Sequence, residues 1–159
     1  MASLILDEWV WHDLEGENGK PHQIETYTFL RALQSGSDHS LLLVAGSAFE
    51  AKSLRFSTHT DVLRREMSRL WRLGIRFNSN KLRILKDLSP LPEDLASLVK
   101  LDDHYIVQAA LAEPEALVVT TDLDLSAVLQ GKSMQCILRD SFLRNRDETT
   151  GGRRASDRR

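Results

Sequence analysis

Ser40-Leu41-Leu42-Leu43-Val44-Ala45 carries four large apolar residues in succession, with no polar alternation. A strand with one wet face alternates, whereas an unbroken run belongs to a strand covered on both sides, as in a parallel sheet between helical layers. Two more segments read this way. Leu4-Ile5-Leu6 stops abruptly at Asp7 and Glu8, and Ala116-Leu117-Val118-Val119-Thr120 runs into Thr121 and Asp122. Leu82 to Leu85 is a shorter strand candidate, and Met134 to Leu138 a last one.

Helical segments separate these strands. Glu15 to Pro21, with Gly16, Asn18 and Gly19, reads as a loop. From Gln23 to Leu33 the residues Ile24, Tyr27, Leu30 and Leu33 recur every third position, and Ser35, Gly36 and Ser37 stop the helix. Gly46 and Ser47 turn the chain into another helix. Asp61 is the expected cap of the next, whose stripe Val62, Leu63, Met67, Leu70, Trp71 and Leu73 ends at Gly74. Glu93 to Val99 reads as a short helix. One more starts at Asp102 or Asp103 and carries Ile106, Val107, Ala109, Ala110 and Leu111 toward Pro114.

This alternation predicts an α/β fold: a three-layer α/β/α sandwich with a mainly parallel central sheet of four or five strands, spanning residues 1–143. Residues 144–159 hold six arginines, Gly151 and Gly152 and little to bury, and are expected to form a basic, disordered tail.

The 159 residues are 42% hydrophobic, enough for one domain to bury its own core. A net charge of -2 and a pI near 6.2 exclude a globally basic nucleic-acid binder, so any such contact is local. The single cysteine, Cys136, excludes an intramolecular disulfide and a Cys-rich zinc site, and reads as a small buried hydrophobe. The residues before Asp7 show no leader pattern, and no apolar run is long enough to span a bilayer. A cytoplasmic protein with no membrane partner is expected.

In an open α/β sheet, ligands bind outside the carboxyl ends of the strands, where residues distant in sequence become neighbours. Asp7 and Asp122 stand just past strands. Asp103 lies in the first turn of a helix that Asp102 is expected to cap, and Glu50 follows the Leu41 to Val44 strand within one helical turn. Carboxylates converging without basic partners repel one another unless a cation neutralises them. All-oxygen ligands favour Mg²⁺ or Mn²⁺, and such ions promote attack of water on phosphodiesters.

These residues resemble the PIN domain, a family of metal-dependent ribonucleases. The likeness lies in Leu4-Ile5-Leu6-Asp7, in Asp103-His-Tyr-Ile-Val-Gln-Ala-Ala-Leu111 and in Val118-Val-Thr-Thr-Asp122-Leu-Asp-Leu125, and covers roughly residues 3 to 143. It implies that Asp7, Glu50, Asp103 and Asp122 are catalytic and hold Mg²⁺ or Mn²⁺, with RNA as substrate. Family members include toxins inhibited by a small antitoxin, and toxins of this type usually form homodimers. Where many members have a small hydroxyl residue and Asn after the first Asp, this chain has Glu8 and Trp9. Glu8 thereby becomes an accessory candidate, beside Asp102, Thr120 and Asp124. Thr120 is expected to position Asp122 or a water, and Asp124 to cap the Ser126 to Leu129 segment.

Arg64, Arg65, Arg69 and Arg72 crowd one helix and are candidates for holding RNA phosphates. Trp9 and Trp11 flank the expected site, where an exposed ring would stack on an unpaired base, although core packing is the expected role of at least one. His104, like His12, His22, His39 and His59, reads as a surface histidine. Two other classes compete: a catalytically silent PIN-like domain that binds RNA or protein, and a phosphotransfer domain with Asp after strand one. The haloacid-dehalogenase form of the latter needs a second Asp at position 9, which is Trp.

Overall fold

Five parallel strands form the sheet of the computed structural model, which describes residues 2–36 and 38–146. They are β1 (Ser3–Leu6), β2 (Ser40–Val44), β3 (Leu82–Leu85), β4 (Leu117–Thr120) and β5 (Cys136–Leu138), in the spatial order β3-β2-β1-β4-β5. Their register places Leu4 beside Leu41 and Leu117, so all three apolar segments that announced the fold lie at its centre.

The strand order reverses once. From β1 the chain steps outward through β2 to β3, then crosses to β4 on the other side of β1 and ends at β5. Right-handed crossovers then force the helices of the two halves onto opposite faces. Between β1 and β3 lie α1 (Trp9–Leu14), α2 (Lys20–Ser35), α3 (Ala48–Phe56) and α4 (Val62–Arg69), the last continued by a π-helical segment, Leu70–Arg76. Between β3 and β5 lie α5 (Glu93–Ala96), a 3₁₀ turn (Leu101–Asp103), α6 (His104–Ala112) and α7 (Leu123–Gly131). Residues 139–146 form a closing helix, α8.

Strand side chains alternate between two cores, as their period of two requires. Leu4, Leu6, Leu41, Leu43, Leu82 and Val119 pack with α1 to α4 and with Phe142 and Leu143 of α8. Ile5, Leu42, Leu85 and Val118 pack with α5, α6 and α7. The result is the expected three-layer α/β/α sandwich. No described helix is long and apolar enough to cross a membrane.

Several local readings change. The helix α1 has no counterpart in the sequence reading, because six residues are too few to display a period and both its tryptophans face inward. Trp9 is 3% and Trp11 2% exposed, so neither ring is free to stack on a base. Trp11 instead packs against Phe49, Phe56 and Trp71, with centroids 5.0–5.7 Å away. The helix α2 starts at Lys20 rather than Gln23: Gly19 supplies the positive φ of 94° before it, and Pro21 suits its first turn. Gly74 does not end a helix but lies inside the π-helical segment, where a Cβ would come within 2.7 Å of Gln34 Cγ. Residues 144–146 belong to α8, which corrects the expected start of the tail; the rest of that stretch lies outside the described residues.

One buried ionic network spans the first layer. Asp13 is 0% and Arg139 2% exposed. Arg139 Nε donates to Asp13 Oδ2 at 2.8 Å, Thr26 donates to the same oxygen at 2.7 Å, and Asn18 donates to Asp13 Oδ1 at 2.8 Å. Arg139 Nη1 meets Glu25 and Asp140 at 2.7 and 2.6 Å, Nη2 donates to the Thr26 hydroxyl at 3.2 Å, and the guanidinium carbon stands 5.5 Å from the Trp9 ring. Helices α1, α2 and α8 are thus tied together by a charge pair that water does not reach.

Candidate metal-binding acidic site

The reversal of strand order opens a crevice between the carboxyl ends of β1 and β4, the place where sheets of this kind bind ligands. Asp7 is the first residue past β1 and Asp122 the second past β4. Thr120, fully buried at the end of β4, joins them. Its hydroxyl donates to Asp7 Oδ2 at 2.7 Å and accepts from the Asp122 amide at 3.1 Å. The other Asp7 oxygen accepts from the Glu8 amide at 2.6 Å, and Asp7 as a whole is 8% exposed.

Asp122 is also the cap of α7. Its Oδ1 accepts from the amides of Asp124 and Leu125 at 2.9 and 3.1 Å. This corrects the expectation for Asp124, which sits exposed in the first turn of α7 and caps nothing. The Asp102 and Asp103 pair is corrected too. Asp102 is exposed within the 3₁₀ turn, whereas Asp103 holds the cap position of α6 without making a capping bond. Its carboxylate therefore stays available to the crevice.

Asp103 registers the crowding. Burial, then the charges of Asp7, Asp122 and Glu8, push its carboxyl up to about 6, against a small opposing effect of Lys100. Asp7, Asp103, Asp122 and Glu8 are therefore electrostatic neighbours. Glu8 is balanced by Lys52, whose Nζ lies 3.3 Å from its Oε2 and 3.0 Å from His12 Nε2. Glu50 stands in the first turn of α3, where Ser47 caps its amide; its Oε1 accepts from the Gly46 amide at 3.4 Å and its Oε2 lies 3.9 Å from Arg76. The residue placed among the neighbours of Asp103 is Glu8.

The ligands that Asp7, Asp103 and Asp122 could offer are all hard oxygens, a set that suits Mg²⁺ or Mn²⁺ and not a softer metal. Among the described residues, no three His, Cys, Asp or Glu side chains are already gathered around one point that would hold an ion. Asp7 and Asp122 are held by protein donors, so Asp103 is the carboxylate left to complete such a shell.

The arginine helix is only partly available. Arg64 is taken up by the Glu15 carbonyl at 2.8 Å and by the carboxylates of Glu15 and Asp61, each at 3.8 Å. Arg65, Arg69 and Arg72 are exposed and line, with Val62 and Glu66, a groove of about 290 Å³. His104 Nε2 lies 3.0 Å from the Val99 carbonyl oxygen, consistent with a local role at the helix start. Tyr105 and Lys52 were not singled out from sequence. An aromatic in an apolar helix reads as core, and the partners of a lone Lys or Arg are not written in its neighbours.

The raised Asp103 carboxyl has a consequence for stability. Between the ordinary carboxylate range and about pH 6, the folded chain holds a proton that the unfolded chain has lost, so stability falls as pH rises through that window. Above it, the ionised group is a standing cost of about 1–2 kcal/mol once solvent screening is allowed for. In chelator at pH 7.5, Asp103→Asn is expected to melt roughly 2–6 °C above wild type, and the gap should close near pH 4. Scanning calorimetry at the two pH values checks this; an equal or lower midpoint at pH 7.5 would remove the case for crowding.

No family model matches the chain, and no curated protein matches it.

Proposed function

We propose that the chain is a divalent-metal-dependent endoribonuclease of the PIN type, with Asp7, Asp103 and Asp122 as the residues that hold Mg²⁺ or Mn²⁺. The observation that supports this reading is the placement of Asp7 and Asp122 just past neighbouring parallel strands with Asp103 at the start of α6, whose carboxyl is pushed up by burial and then by the charges of Asp7, Asp122 and Glu8. Such repulsion is stable in service only when a cation relieves it. A bound ion would supply activation of water and charge stabilisation for phosphodiester hydrolysis. The chain's own part is positional. Thr120 fixes Asp7 relative to Asp122, the cap of α7 fixes Asp122 against its helix, and the exposed Arg65, Arg69 and Arg72 offer charge for RNA phosphates.

A second reading, a silent PIN-like domain that binds RNA or protein, draws on Glu8 and Trp9, which stand directly after Asp7 where many members of that family have a small hydroxyl residue and Asn. One assay separates the two. A fluorescent single-stranded RNA is incubated with the pure protein and Mg²⁺, Mn²⁺ or chelator, with single-stranded DNA as a control. Internal cleavage of RNA that requires the metal is expected. Cleavage in chelator, or intact RNA with no Mn²⁺ bound at millimolar concentration, would overturn the nuclease reading.

A further inference from the structure

A second concavity lies over the carboxyl ends of β4 and β5, beside the acidic crevice. Thr121 is the first residue past β4, and Arg139, Asp140 and Ser141 are the first past β5. With Leu138, and with His22 from the first turn of α2, they line an open cavity of about 480 Å³. That lies within the range occupied by small-molecule ligands, about 300–1,000 Å³. The cavity adjoins the acidic residues directly. Thr121 stands between Thr120 and Asp122, and Leu138 pairs across the sheet with Thr120, whose hydroxyl holds Asp7.

Its floor is fixed in advance. Arg139, 2% exposed, is held by Asp13, Glu25 and Asp140, so its position does not depend on a ligand. The rim, by contrast, has capacity to spare. Asn18 also faces the cavity and spends its amide on Asp13, which leaves its carbonyl oxygen as an acceptor. Among the described residues, the His22 ring and the hydroxyls of Thr121 and Ser141 enter no side-chain hydrogen bond or ion pair.

Charge decides what fits. Three carboxylates surround Arg139, and they outnumber the cations even with Arg144 at the outer rim counted. A phosphate is repelled there, whereas a neutral group rich in donors and acceptors is not. A nucleobase with its ribose is such a group. An imidazole stacks on a splayed base, hydroxyl and amide oxygens read its edge, and a carboxylate oxygen such as that of Asp140 accepts from a 2′-hydroxyl.

We infer that this cavity is a nucleoside subsite beside the acidic crevice, taking the base and ribose next to the phosphate to be cleaved and so selecting which RNA bonds are cut. The inference rests on the nuclease reading above. Because its contacts are neutral and its lining residues are not the metal-holding carboxylates, subsite and metal site are separable by substitution.

The test compares the full chain with Ser141→Phe, which fills the cavity from an exposed position of α8, and with Thr121→Val, which removes one hydroxyl at nearly constant shape. Each of the four ribonucleosides is titrated in chelator and followed by NMR. Mn²⁺ affinity, the thermal midpoint and the sites of cleavage in a random single-stranded RNA are measured alongside. At least one ribonucleoside should bind wild type in the millimolar range, and Ser141→Phe about 10-fold more weakly. Wild type should favour that base beside the cut by about 10-fold, and Thr121→Val should shrink the preference on the scale of one hydrogen bond. Mn²⁺ affinity should be unchanged in both variants. Should Ser141→Phe melt below wild type, Thr121→Val carries the comparison. No ribonucleoside bound by wild type, equal binding by all three proteins, or one base preference shared by all three overturns the subsite while leaving the nuclease reading in place. Ribonucleoside binding by a wild type that leaves RNA intact in Mn²⁺ overturns the nuclease reading, and with it the cavity's place beside a cleaved bond.

Discussion

Asp7→Asn is expected to slow metal-dependent RNA cleavage by about 100- to 1000-fold, the scale on which loss of one preorganised group at a charged transition state is felt. The substitution keeps size and shape. Its carbonyl oxygen can still accept from the Glu8 amide or from Thr120, which now hold the two oxygens at 2.6 and 2.7 Å. What disappears is the negative charge at the floor of the crevice. The melting midpoint in chelator should therefore stay within a few degrees of wild type while Mn²⁺ affinity collapses. Single-turnover cleavage and Mn²⁺ titration of the same preparation check both halves; a variant that cleaves as fast as wild type would remove Asp7 from the site.

The largest loss of stability is expected away from the crevice. Arg139→Met leaves the Asp13 carboxylate buried at 0% exposure with Thr26 and Asn18 as its remaining donors. Breaking one side of a buried ion pair typically costs about 3–5 kcal/mol, because the surviving charge stays desolvated. For a chain of this size, that lowers the midpoint by roughly 10 °C or more. The partly exposed pair of Arg83 and Glu113, at a similar 2.8 Å, provides the contrast: its disruption by Arg83→Gln should cost less than about 1 kcal/mol. Thermal melts of the two variants side by side decide whether burial, and not distance, sets the value of these pairs.

Much of the architecture was legible because burial on both faces leaves a mark in composition. Leu41 to Val44, Leu4 to Leu6 and Leu117 to Val119 read as covered strands from their lack of alternation, and Asp61 declared a helix start that its bond from the Arg64 amide, 3.1 Å long, bears out. What stayed hidden was short or relational. The six residues of α1 show no period, and the π-helical segment depends on how closely Gly74 approaches Gln34. At the site, Asp7, Asp103 and Asp122 were visible as carboxylates placed at strand ends and a helix start. Which cation each of Glu8 and Glu50 meets was not visible. It turns on Lys52 and Arg76, which reach their partners across 44 and 26 positions of sequence. The cap of α7 was misplaced for a similar reason: Asp122 and Asp124 differ by two residues, and only the backbone decides which carboxylate meets the free amides.

The single hydroxyl of Thr120 makes Asp7 and Asp122 one rigid jaw, anchored in neighbouring strands and in the start of α7. Asp103 rides on a separate three-residue turn and makes no side-chain capping bond to α6. On the proposed function, capture of an ion would be a one-sided closure, in which the entropy lost on binding falls on that short turn while the opposing jaw is ordered in advance.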